Sequence, residues 1–169
     1  MKFKTIFFVF SLFSICVVGQ DKFELKAPNL KHLKEINAKN EMGIDVIHLY
    51  FENNYSNGSK KYAIQKDPDF DNTECGFTQK YQFGIEFVTN NCGEASPLTQ
   101  TITLPKMNLK SLKKWVEQIY TASLIEDMEP VNKWHKSKNE FTPGDEEAGC
   151  YYTIKQTTTN SVIEVWCGC

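Results

Sequence analysis

The chain contains no arginine: all 19 of its basic residues are lysine, set against 21 acids for a net charge of −2. Without a guanidinium, no side chain can fork two hydrogen bonds onto a phosphate or a guanine edge. With a mildly acidic balance and no basic run, the sequence argues against nucleic acid as a partner. Other signatures are missing as well. There is no Gly-x-Ser-x-Gly nucleophile turn, no HExxH zinc helix and no CxxC redox pair. No internal repeat or low-complexity linker interrupts the chain. No motif assigns a reaction, and no cofactor is expected.

Three histidines are present, His32, His48 and His135. A Ser or Cys nucleophile needs a histidine in hydrogen-bond reach and an acid to orient it, and no spacing here joins the three. His48 reads as a satisfied histidine within a strand, and His32 as a solvated helix residue.

The beginning of the chain is distinctive. Lys2 and Lys4 precede an apolar run from Ile6 to Ile15, and Val17-Val18-Gly19 offers a small-residue cleavage site. This predicts a secretory signal peptide over 1–19, too short for a spanning helix with flanks. A disulfide-stabilised domain over 20–169 follows, with no transmembrane segment and a periplasmic or extracellular address. Lipidation at Cys16 is disfavoured because Ile15 is not the small residue such sites need. Removing Lys2, Lys4 and Cys16 leaves 17 lysines against 21 acids, a net charge of −4, and five of the six cysteines.

Cysteines in an exported chain are read first as disulfides, and five leave one spare thiol. Cys75 and Cys92 bracket a predicted strand and pair if its ends fold back. The other three lie in the final stretch, GCYYTIKQTTTNSVIEVWCGC, which reads as a β-hairpin. Tyr152 and Ile154 share one face of its first strand; Ile163, Val165 and Cys167 share one face of its second. Bringing both apolar sets to the same side requires even-numbered residues opposite odd-numbered ones. A two-residue loop at Thr159-Asn160, or a four-residue loop from Thr158 to Ser161, sets Cys150 opposite Cys169, with Cys167 on the diagonal. Cys150 is therefore expected to bond Cys169 or Cys167.

Elsewhere, Pro28-Asn29 opens a weak helix carrying Leu30, Leu33 and Ile36, with Gly43 past its end. Ile44–Phe51 reads as a strand apolar on both sides, and Lys60–Gln65 as a second strand. Tyr81–Thr89 gives the cleanest alternation, and Thr99–Leu104 returns beside it. Asn108 caps a helix bearing Leu109, Leu112, Val116 and Ile119 at helical spacing. From Glu126 to Gly149 no period survives. The expected fold is α+β: an antiparallel sheet of about six strands, one main helix across one face and a weaker N-terminal helix.

Candidate sites are few. Asp67, Asp69 and Asp71 alternate as calcium ligands can, but Asn72 stands where an EF-hand loop needs Gly and Thr78 where it needs Glu. A solvated acidic turn is the favoured reading. Cys167 and Cys169 form a close dithiol able to exchange disulfides or, with other cysteines, to bind zinc; structural bridging outweighs both. Carboxylate pairs among Glu126, Asp127, Glu129 and Glu140 carry no specific signal for glycoside hydrolysis. In the long connection, Trp134, His135 and Phe141 mark the best contact surface, since aromatics on loops make good anchors. The expected function is an exported non-catalytic binding protein whose partner is an unidentified protein or glycan. A periplasmic inhibitor or immunity protein is one variant. The rival is a small enzyme, either a hydrolase using His135 or a thiol oxidoreductase using Cys167 and Cys169.

Overall fold

Asn108 begins the longest helix of the fold. Its side-chain oxygen accepts hydrogen bonds from the backbone N–H groups of Lys110 (2.8 Å) and Ser111 (3.4 Å), two donors that the first turn leaves without partners. The helix, α3 (Leu109–Ser123), buries Leu112, Trp115, Val116, Ile119, Tyr120 and Ala122 on one stripe. Each large side chain so covered contributes roughly 1.5–3 kcal/mol. The first turn holds no acid to complement the helix dipole, so packing and the cap hold this helix in place. The computed structural model describes residues 23–39, 45–93, 96–124, 128–136, 138–144 and 148–168. The expected signal peptide, Cys16, Gly43, Glu126, Asp127 and Cys169 lie outside the described residues.

Among the described residues the fold is α+β, with three helices and one antiparallel sheet. Helices α1 (Leu30–Ala38) and α2 (Val46–Asn54) come before the sheet strands. Strands β1 (Tyr62–Asp67), β2 (Thr73–Tyr81), β3 (Ile85–Asn90) and β4 (Leu98–Pro105) form one meander. Strands β5 (Lys133–Trp134), β6 (Glu140–Thr142), β7 (Gly149–Gln156) and β8 (Asn160–Gly168) form another after α3. The lateral order is β1-β2-β3-β4-β8-β7-β6-β5, so the two meanders meet at an antiparallel β4·β8 seam with Ile102 opposite Ile163. Each meander follows a helix. This symmetry is topological and has no counterpart in the sequence, where no repeat is found.

Eight strands replace the expected six, and four local differences account for the change. Residues 46–51 are helical rather than extended. Asp45 caps α2 by accepting from His48 N at 2.9 Å, and Val46, Ile47, Tyr50 and Phe51 are all buried. A helix covered on several sides shows no amphipathic period and mimics a central strand. Second, the acidic connection runs straight into β2. Third, β2 ends in a tight turn in which Phe83 (φ 64°) and Gly84 (φ 75°) are left-handed, so the alternating run over Tyr81–Thr89 is the turn and strand β3, not one strand. Fourth, β5 and β6 are two and three residues long, too short to show a period, and exist by pairing in sequence onto β7.

The β7–β8 hairpin keeps the expected parity but shifts by two residues. Cys150 lies opposite Cys167, not Cys169. The loop is Thr158-Thr159, because the Thr157 hydroxyl accepts from Thr159 N (3.3 Å) and Asn160 N (2.9 Å) while Thr157 N donates to Asn160 O (2.9 Å). This serine/threonine-type turn supplies locally what a longer loop would leave unpaired. An even shift leaves every side chain on its original face. Tyr152 and Ile154 still point to the core with Ile163 and Val165.

Two disulfides clamp the sheet. Cys75 in β2 bonds Cys92 just beyond β3, and Cys150 bonds Cys167 across the β7–β8 pair. Residues on alternate positions of β2, β3, β4, β7 and β8, among them Phe77, Ile85, Phe87, Ile102, Leu104, Ile154 and Ile163, are buried on the helix side. Among the described residues no helix covers the other side of the sheet, where Thr99, Thr101 and Thr103 alternate along β4.

Candidate functional site

Trp134 belongs to β5, an edge strand whose outer side pairs with no other strand among the described residues. Its indole N–H donates to Glu117 Oε1 of α3 at 2.6 Å, which fixes the ring against the helix. Lys113 holds its ammonium 4.5 Å from the ring centroid, within range of a cation–π contact. Phe141 packs against the ring at 5.0 Å between centroids, tilted by 38°. Trp134 thus walls a groove of about 720 Å³, whose other lining comes from Leu109, Lys110, Lys113, Lys114 and Glu117. Helical spacing explains the cluster: positions 110, 113, 114 and 117 are three or four residues apart and share one face. The single acid in that lining already accepts from the indole, so three ammoniums give the groove its sign.

Of the expected contact residues, Trp134 lines this groove. His135 is exposed beside it, its backbone N–H donating to Glu140 O (2.9 Å) and its Nε2 lying 3.3 Å from Thr142 Oγ1. Phe141 is only 5 % exposed and packs edge-on against Tyr120 at 5.3 Å. It is a core residue supporting Trp134, not part of the contact surface. Its side chain alternates inward because the strand containing it pairs with β7, a constraint invisible in a three-residue segment. The lysines of α3 give no site signal in the sequence, because their spacing is that of any solvated helical face.

The remaining candidates are placed as follows. Asp67 turns its carboxylate inward, accepting from Asp69 N (3.0 Å) and Gly93 N (2.7 Å), while Asp69 and Asp71 are exposed. Among the described residues, no three His, Cys, Asp or Glu side chains converge as a metal would require. Cys167 spends its sulfur on Cys150. Glu129 is exposed, and Glu140 pairs with Lys138 at 3.5 Å. His32 is exposed on α1, where its backbone N–H meets the Asn29 cap.

His48 sits on a helix rather than a strand and belongs to a polar seam that no spacing in the chain announces. Its Nε2 lies 3.1 Å from Gln79 Oε1, and its ring stacks on Phe87 at 5.5 Å. Gln79 Nε2 and the Tyr81 hydroxyl both donate to Glu52 Oε1, at 2.9 and 3.0 Å. Gln100 Nε2 donates to Asp45 Oδ2 at 2.6 Å. Asp45 as a residue is half-buried, but its carboxyl is sunk between α2 and the sheet. Burial raises its pKa above the ordinary aspartate value, against the lowering effect of the His48 and Gln100 hydrogen bonds. These hydrogen bonds link residues 45 to 100 across α2, β2 and β4.

Among the described residues, no helix is long and apolar enough to cross a membrane. Comparison with protein-family profiles, with curated proteins and with solved structures finds no match to this chain.

Proposed function

We propose that the chain is an exported, disulfide-stapled, non-catalytic binding protein whose groove beside Trp134 receives an acidic, extended segment of a partner protein. One observation carries this reading: Lys110, Lys113 and Lys114 of α3 share a groove with an indole that belongs to the edge strand β5. An extended peptide can add to such an edge through backbone hydrogen bonds while its carboxylates meet the ammoniums. Trp134 supplies the aromatic anchor that interface hot spots favour. Both disulfides are consistent with an oxidising compartment.

Fluorescence titration of the full chain with an octaglutamate peptide tests the groove, with octalysine as control. The expected result is saturable binding of octaglutamate only, weakened by salt, and at least about tenfold weaker in a K113E/K114E variant. Equal binding of both peptides, no binding of octaglutamate, or an unchanged affinity in that variant would overturn the reading.

A further inference from the structure

The sheet face away from the helices is a regular grid. Thr99, Trp166 and Tyr151 stand in one cross-strand row on β4, β8 and β7, and Thr101, Glu164 and Thr153 in the next. Trp166, 39 % exposed, departs from the ordinary posture of a strand side chain standing off its sheet. A Cβ built on Gly168 would come within 3.0 Å of the Trp166 Cη2 atom and 3.1 Å of Cζ2. The six-membered ring therefore lies along the strand directly over Gly168, filling the space that a side chain two residues on would take. Pro97 closes on the same point at 3.1 Å. Tyr151 meets the indole edge-on, with centroids 5.4 Å apart and an interplanar angle of 68°, and its hydroxyl donates to Gly144 O. Seated over Gly168 and braced by Tyr151, the indole keeps part of its ring surface open to solvent. Around it, Thr99, Thr101, Thr153 and Glu164 line a shallow depression of about 290 Å³, near the lower limit of roughly 300 Å³ for small-molecule sites.

We infer that this face carries a binding site for a neutral glycan, with a pyranose ring stacked on Trp166 and its hydroxyls bonded by the surrounding threonines and Glu164. The axial C–H bonds of a pyranose form an apolar, weakly positive face that suits the negative face of an indole, while its equatorial hydroxyls point outward in the ring plane. Threonine hydroxyls both donate and accept, as a polyol requires. The lining is also electrically quiet. Glu164 is paired with Lys155 at 2.6 Å, so the carboxylate orients hydroxyls without calling for a cationic ligand. A protein partner would instead need a broad apolar centre, and threonine rows do not provide one. The site uses none of the groove beside Trp134, so either can fail alone.

The test titrates the full chain with cellohexaose, maltohexaose, chitohexaose and mannohexaose, read by tryptophan fluorescence and by calorimetry. At least one hexasaccharide should bind and perturb emission, with affinity unaltered by salt. W166A should weaken that binding by at least about tenfold, and W134A should leave it unchanged. G168V keeps the indole but lifts it from its seat, so it should weaken binding in a protein whose circular dichroism is unaltered. Silence across the panel, binding that survives W166A, or binding equally lost in W134A would each refute the site. Silence accompanied by self-association that W166A abolishes would identify the face as a protein interface and refute it equally.

Discussion

Helices α2 and α3 cover one sheet, one before each meander, yet they do so with opposite chemistry. Helix α3 buries Leu112, Trp115, Val116, Ile119 and Tyr120, an apolar stripe in which Tyr120 meets Phe141 and Tyr152 of the sheet. Helix α2 lays a hydrogen-bonded seam beside its aromatic contacts, in which Asp45, His48 and Glu52 face Gln100, Gln79 and Tyr81. Even the caps differ. Asn108 is exposed, whereas the Asp45 carboxyl is sunk under its own helix. The layout fixes where a helix goes but does not dictate what holds it there. Apolar contact supplies free energy in both halves, and in the α3 half it acts without a polar seam. In the α2 half, hydrogen-bonded polar groups also restrict the helix to a single arrangement, since any sliding would strand a buried donor or acceptor.

The sharpest way to break this contrast is to hollow out both helices. Phe51 is fully buried and touches Tyr50, Tyr55, Tyr81, Phe87 and Trp115. Phe51→Ala should cost about 4 kcal/mol, and Ile119→Ala, equally buried in α3, about 3 kcal/mol by denaturant unfolding. A Phe51→Ala loss below about 1 kcal/mol would show that the seam, not the aromatics, holds α2. Next come the clamps, one in each meander. Both close loops of 17 residues, so chain entropy gives each about 3 kcal/mol. Replacing either pair by serine should lower stability alike; a clear inequality would trace to the sheet around the bond and not to loop length.

Smaller effects separate the caps. Asn108→Ala should cost about 1 kcal/mol at any pH between 5 and 8. Asp45→Asn keeps a capping oxygen and removes a buried charge, so its effect should change with pH. Because the folded-state pKa of Asp45 is raised, its contribution is complete below the ordinary aspartate range and lost as pH rises through the folded value. Relative to the parent protein, Asp45→Asn should therefore gain stability as pH climbs from 4 to 8. A flat difference across that range would place the Asp45 carboxyl in contact with water.

The sequence exposed these regions unequally. Helix α3 was legible because Asn108 caps it and its apolar residues recur with one period; the pairing of faces in the β7–β8 hairpin followed from parity alone. Its register did not, since Thr157 offers a turn that no apolar pattern reports. Helix α2 was misread because IDVIHLYF is apolar on every side. Strands β5 and β6 owe their existence to β7, so nothing within them could announce them. At the candidate groove, Trp134 was picked out as an aromatic in a long connection. The lysines that complete it lie on an element some twenty residues earlier, and only the fold joins them. The seam is the extreme case, built from six side chains spread over residues 45 to 100 that no local pattern joins.

The strand order has a consequence for how the molecule comes into being. β8 is the eighth strand in chain order but lies beside β4 at the middle of the sheet. Until it leaves the ribosome, β4 keeps an open edge and the later meander has nothing to dock on. The final strand works like the slider of a zip fastener, and until it arrives the two halves remain separate, sticky and readable by chaperones. Whatever handles this polypeptide during synthesis thus meets it with the β4 edge unsealed.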